Sequence, residues 1–297
     1  MPELSVCFPT YDDFDGLYFS AVDLMTTHGA IFESGRCELL VVDNHPDSPH
    51  GKAVADLVSN HLPATVLKRY VAMPEPVGPA LAKQKAVDEA AGWAVLVMDS
   101  HVRLAPGALT RLLEWYRQER SRTTLCSGPM VYDAGLLGFA LDRQLEHYAS
   151  HMEEQWRGDD LGTWAADPRA ADASSEPFAI PAMGCGCFTA CKDSFPGFHA
   201  EFRGFGAEEF YLYRKARQRG MQTLCLPFLR WSHRFGRPAG VPYPLPLAAK
   251  IRNYLIGHLE LGERLDGLRE AFVSNGRISA EHWQQLVATT EAALCVS

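Results

Sequence analysis

Residues 93–104 read WAVLVMDSHVRL, an uninterrupted apolar run of six residues (93–98) that stops on Asp99-Ser100-His101. A run this short and this apolar is a strand buried on both faces, as in a parallel sheet. The polar triplet then falls at the strand's carboxyl end, where open α/β sheets hold their ligands. In an extended stretch residues i and i+2 point to the same side. Asp99 and His101 can therefore converge on one ion, and a carboxylate beside an imidazole suits manganese better than calcium or magnesium. On its own the triplet equally well closes an ordinary polar turn, so the rest of the chain has to decide.

Apolar runs at residues 4–9, 38–42, 65–71, 125–132 and 224–229 predict further strands. Helices are predicted between them, over about 14–27, 52–60, 80–91, 106–120 and 205–219. Pro106 sits in the first turn of one, and Leu109, Leu112, Leu113 and Tyr116 share its apolar face. Alternation of this kind implies right-handed βαβ crossovers and a mostly parallel sheet flanked by helices, an α/β class of Rossmann-like type. Asp12, Asp43 and Asp99 all follow predicted strands, and a row of acids along one sheet edge suggests a ligand cleft. Residues 133–181 lack regular periodicity and read as a long functional loop, in which Trp156 and Trp164 pack the loop down or stack on a ring. Residues 182–190 are rich in small side chains, as where another backbone or a ligand approaches a strand closely. From residue 247 the chain reads as helical to its end, with a break near Asn275-Gly276. We expect a catalytic domain over 1–246 and a helical extension over 247–297.

The 297 residues are 47% hydrophobic, enough for a full core, and carry a net charge of −8. That balance speaks against a broad nucleic-acid footprint; Arg111, Arg117, Arg120 and Arg122 supply only a local basic strip. No apolar run reaches membrane-spanning length and no leader pattern is visible, so the expectation is a cytoplasmic protein without a membrane anchor. The eight cysteines include Cys185, Cys187 and Cys191, whose spacing lacks the paired ligands of a zinc finger; reduced, buried thiols fit better.

Asp99-Ser-His101 after the fourth strand, Gly206-Ala-Glu208-Glu209 opening a late helix, and His233 in Trp231-Ser-His233-Arg-Phe-Gly-Arg-Pro occur here in one order. In that order the chain resembles nucleotide-sugar glycosyltransferases of the GT-A fold. It is most similar to the inverting family-2 enzymes and to the catalytic domain of polypeptide N-acetylgalactosaminyltransferases, over about residues 4–262. The resemblance implies a metal-dependent glycosyltransferase (hexosyl or N-acetylhexosaminyl) using a nucleotide-sugar donor, with a UDP-sugar expected, and an unidentified hydroxyl acceptor. It implies that Thr10, Tyr11, Asp12 and Asp43 hold the nucleoside. Lys83, in Gly78-Pro-Ala-Leu-Ala82-Lys83-Gln84, would face the donor phosphates as a point charge where the family has arginine. Asp99, His101 and His233 would ligate the metal, Mn2+ first and Mg2+ as the alternative. Gly184 would approach the donor sugar, and Arg234 or Arg237 would meet the diphosphate. Glu208-Glu209 departs from both the Glu-Asp of the inverting enzymes and the Glu-Asn of the retaining ones. A carboxylate at Glu209 favours inversion with Glu209 as base and leaves retention open. A sugar-phosphate nucleotidyltransferase and a non-catalytic nucleotide-sugar-binding protein are the competing readings. The acceptor is left open among a peptide, a glycan or lipid intermediate, a small metabolite and a modified DNA base.

Overall fold

The computed structural model describes residues 1–132, 147–235 and 240–295. Its strands are β1 (Leu4–Thr10), β2 (Cys37–Asp43), β3 (Leu67–Ala72), β4 (Ala94–Met98), β5 (Val102–Leu104), β6 (Thr124–Ser127) and β7 (Met130–Val131). They continue with β8 (Tyr148–Ala149), β9 (His151–Arg157), β10 (Asp160–Ala165), β11 (Phe178–Ala179), β12 (Cys187–Cys191), β13 (Gln222–Cys225) and β14 (Trp231–His233). The helices are α1 (Phe14–Glu33), α2 (Pro49–Asp56), α3 (Pro79–Glu89), α4 (Ala108–Trp115), α5 (Glu208–Gln218), α6 (Leu247–Glu260), α7 (Asp266–Arg269) and α8 (Ala280–Leu294).

The main sheet has the order β11-β13-β6-β12-β4-β1-β2-β3. β4, β1, β2 and β3 run parallel, as do β6 and β13, whereas β12 and β11 pair antiparallel to their neighbours. This is the mostly parallel α/β sheet that the resemblance led us to expect. Every residue of β1, β2 and β4 is buried, as their unbroken apolar character requires. In α1, Leu17, Ala21, Leu24, His28 and Phe32 recur at helical spacing on the buried face. That burial carries the helix through Thr26-Thr27-His28-Gly29, a weak helix-forming stretch at which the sequence reading stopped.

Three further expectations are corrected. The single strand over 125–132 is two, because Pro129 cannot donate to a ladder and Gly128 lies against Leu229, where a Cβ would be 1.8 Å from the carbonyl oxygen. β6 stays in the main sheet, while β7 crosses into a second sheet of order β5-β14-β7-β8. Within 133–181, residues 151–165 form an antiparallel hairpin turning on Gly158-Asp159; residues 133–146 lie outside the described residues. The C-terminal helices break twice, first at Gly262 with φ +69 and again at Gly276 with φ +70.

Trp156 of the hairpin packs edge-on against Tyr254 of α6 and against Phe272, so its role is packing. The Tyr254 hydroxyl accepts the Leu161 N–H at 2.9 Å, and Arg277 pairs with Asp159 at 3.3 Å. Hairpin and C-terminal helices thus pack on one another. Seven cysteines are buried free thiols and Cys295 is exposed. Among the described residues no helix is long and apolar enough to cross a membrane.

Candidate active site

β4 delivers Asp99 to the carboxyl edge of the sheet, where its N–H donates to the Gly186 carbonyl at 2.9 Å. The Asp99 carbonyl then accepts the Val102 N–H at 3.1 Å. Asp99-Ser100-His101 is therefore a turn and not an extended stretch, so strand alternation is not what brings Asp99 and His101 together. Convergence has another cause. β5 leaves that turn and pairs antiparallel with β14, setting His233 opposite Val102. Nε2 of His101 and Nε2 of His233 are 3.0 Å apart, and His233 Nε2 lies 3.7 Å from an Asp99 carboxylate oxygen. Potential ligand atoms of Asp99, His101 and His233 all fall within 4.8 Å of one another, the one such group of three among the described residues. A hard oxygen and two imidazole nitrogens fit a borderline divalent cation such as Mn2+, and two Nε2 atoms in contact leave a position that a cation can share.

Lys83, on α3, is 3% exposed. Its ammonium lies 3.5 Å from Asp99 and 3.8 Å from Glu208. Burial alone would discharge this lysine; the two carboxylates outweigh it and push its pKa up instead. Asp99 shifts the other way. Burial opposes its charge, but Lys83, His233 and His101 hold its carboxyl far below the ordinary range.

The backbone brings α5 to the same place through Gly206 (φ +99) and Ala207 (φ +77), and a left-handed alanine is a strained residue of the kind found at functional sites. Glu208 follows, 3% exposed, with its Oε2 buried and lacking a hydrogen-bond partner. Burial first, and then the neighbouring Glu208 charge, push the Glu209 carboxyl up to about 8.

A cavity of about 410 Å³ opens over this edge, lined by Thr10, Tyr11, Lys83, Asp99 and His101 among others. Phe205 and Tyr243 form its far wall, Tyr243 meeting Tyr11 edge-on with centroids 5.7 Å apart. Thr10 Oγ1 is buried without a hydrogen-bond partner. Gly78 (φ +100) lets the α3 entrance touch the loop before α5, for a Cβ there would sit 2.3 Å from the Gly204 carbonyl.

His233, Glu208 and Glu209 stand beside this lining without belonging to it, and Asp12, Asp43, Gly184 and Arg234 are also outside it. Asp12 (φ +48) turns its carboxylate to His45 at 2.7 Å, and His45 stacks on Tyr11. Asp43 is fully buried, accepting from Tyr70 at 3.0 Å and from the His45 N–H at 2.9 Å. Gly184 backs onto the Trp164 ring; it is Gly186 that faces the triad, its ideal Cβ position 3.3 Å from Asp99. Arg234 approaches Asp13 at 3.3 Å, and Arg237 lies outside the described residues. Of the basic strip, Arg111 lies over Phe228 and Arg122 over Trp93, so these two are spent on packing. Two residues were missed. Asn44 ties down the 73–78 loop by accepting from the Val77 and Gly78 N–H groups. Asp13 contacts His101 at 2.6 Å; its only sequence signal was a helix-capping position.

One sheet edge thus brings together a carboxylate, two imidazoles and a buried lysine beside paired glutamates. The family model for glycosyl transferase family 2 matches residues 5–193, and the chain belongs to that family. No curated protein matches its sequence. Among solved structures it is similar to GalNAc-T7 with UDP, GalNAc and Mn2+ (TM-score 0.65, 15% identity), covering 92% of this chain and 54% of that one. The chain thus spans little more than half of that protein's length. It is also similar to TarS 1-349 of S. aureus in complex with UDP-GlcNAc (TM-score 0.53, 16% identity, 98% of this chain and 79% of that one). A third likeness is to the mannosyltransferase PcManGT of Pyrobaculum calidifontis with GDP-Man and Mn2+ (TM-score 0.51, 16% identity, 99% and 74%). At these identities the likeness is one of fold.

Proposed function

We propose that this glycosyltransferase is divalent-cation-dependent and moves a hexosyl or N-acetylhexosaminyl group from a UDP-sugar to a hydroxyl acceptor, with inversion. The observation that supports this best is the Asp99–His101–His233 group beside Lys83, in a family-2 chain. When bound, a divalent cation supplies Lewis-acid neutralisation of the departing diphosphate.

The chain's own residues do the rest. Tyr11 offers an aromatic face to the base and Thr10 an uncommitted hydroxyl to the nucleoside. Lys83 sets a buried positive charge toward the phosphates, and Arg234, held beside Asp13, adds a second cation. Glu208, with one oxygen unclaimed, holds sugar or acceptor hydroxyls. Glu209 takes the acceptor's proton, a role that its raised pKa suits near neutral pH. Helices α6 to α8 form an extension that closes the acceptor side together with the 151–165 hairpin.

The test is UDP or GDP release from a panel of nucleotide sugars with and without Mn2+, and mass spectrometry of candidate acceptors. Mn2+-dependent release that is lost in Asp99→Ala is expected, with the anomeric outcome read by NMR. Tight donor binding without turnover in any acceptor mixture would replace the reading with that of a binding module. Release untouched by Asp99→Ala would remove the metal site from it.

A further inference from the structure

We propose that Asp13 is the positioning residue of the metal centre, its two carboxylate oxygens divided between the imidazole of His101 and the guanidinium of Arg234. The proposal rests on the donor-site reading above and assigns a role to a residue outside the ligand set. Asp13 is 8% exposed and stands at the start of α1. Its Oδ2 contacts His101 Nδ1 at 2.6 Å and accepts from Ser100 Oγ at 2.8 Å. Its Oδ1 accepts from the Gly16 N–H at 3.2 Å and from Arg234 Nη2 at 3.3 Å. A second contact from α1 fixes the same turn, Ser20 Oγ donating to the Ser100 carbonyl at 2.9 Å.

The consequence for His101 is chemical. An acceptor-only carboxylate at Nδ1 requires the proton on Nδ1 and leaves the Nε2 lone pair facing Asp99 and His233. A ring left free to turn, or carrying its proton on Nε2, presents no lone pair there. Carboxylates behind ligating histidines fix both tautomer and ring orientation in this way. For Arg234 the same carboxylate, itself part of the cavity lining, holds the guanidinium at 3.3 Å. One side chain at the N-cap of α1 thereby aligns a metal ligand and a phosphate-facing cation that lie 133 residues apart in the chain (234 less 101).

Asp13→Asn separates this role from helix capping, since asparagine caps a helix as well as aspartate does; Asp13→Ser caps too and is too short to reach His101. Thermal melts confirm folding, and Asp23→Asn, which removes a carboxylate on α1 that pairs with Arg103, controls for net charge. In metal-free protein, side-chain 15N NMR should show wild-type His101 with its proton on Nδ1, and a shift toward the Nε2-protonated form in Asp13→Asn. Mn2+ affinity, followed by EPR of the free ion, should weaken about 10–100-fold in Asp13→Asn and Asp13→Ser and be unchanged in Asp23→Asn. UDP affinity at saturating Mn2+ should also fall in the Asp13 variants, through loss of the Arg234 placement. An unchanged His101 tautomer together with unchanged Mn2+ affinity in folded Asp13 variants overturns the proposal while leaving the donor-site reading intact. Wild-type protein that binds no Mn2+ overturns both.

Discussion

Replacing Glu209 by glutamine should make this protein less active and, above neutral pH, more stable. In the folded chain burial and the adjacent Glu208 raise the Glu209 pKa from its ordinary 4.5 to about 8. Between those values the folded state binds a proton that the unfolded chain has released. The stabilisation from this group is complete below pH 4.5 and is lost as pH rises through 8. Across that window of about 3.5 pH units, at about 1.4 kcal/mol each, linkage bounds the loss near 5 kcal/mol. Glu209 is not fully sealed from solvent, so about half that figure, roughly 2–3 kcal/mol, is the expected size once screening is counted. Glutamine carries no charge at any of these pH values. Glu209→Gln and wild type should therefore melt together near pH 5 and separate by about 5 °C at pH 9, with the variant higher. The melts need a chelator, because a bound cation would add its own charge beside the carboxylates. In parallel, kcat/KM should fall about 10²–10⁴-fold, the usual worth of a general base, and the wild-type rate should climb with pH toward about 8. Melting curves that stay parallel from pH 5 to 9 would refute the buried-carboxyl argument, and full activity in Glu209→Gln would remove its role as base.

Two further substitutions probe how the site is held. Gly78→Ala should cost about 3 kcal/mol or more, combining a backbone conformation unsuited to alanine with a Cβ 2.3 Å from the Gly204 carbonyl. Gly204→Ala, where the nearest neighbour is the Ala249 Cβ at 3.7 Å, should cost only about 1 kcal/mol; equal melting temperatures for the pair would contradict the close-approach explanation. Tyr254→Phe leaves the Leu161 N–H without its acceptor and should cost about 1–3 kcal/mol, with hydrogen exchange at the Leu161 amide speeding up; unchanged exchange would mean the hairpin is held by other contacts.

What the sequence disclosed, and what it hid, follows from the range of the interactions. The buried strands were legible because burial on both faces leaves an unbroken apolar word, and Asp99 and His101 stand where that word stops. His233 was legible through its place in a family order, although its route to the triad, by pairing of β14 with β5, is a tertiary event. Asp13 hid behind a local role, since its capping bond to Gly16 spans three residues while its contact with His101 spans 88. Asp43 looked like a ligand-facing carboxylate, yet Tyr70 and the His45 N–H occupy it. The 151–165 hairpin did carry a signal, a two-residue Gly-Asp connection between Met152/Trp156 and Leu161. Its intervening Glu153, Glu154 and Gln155 diluted the alternation below notice.

Lys83 gives the sheet edge an internal counter-ion. With Asp99 and Glu208 each within 4 Å of one ammonium, the carboxylates stay close together on the chain's own charges rather than springing apart. A lone dication entering there feels that ammonium as an opponent, and a lone diphosphate feels the two carboxylates. Arriving as a pair, they cancel one another's penalty. On the donor-site reading proposed above, such an arrangement would make cation and donor cooperative guests, each tightening the other's hold.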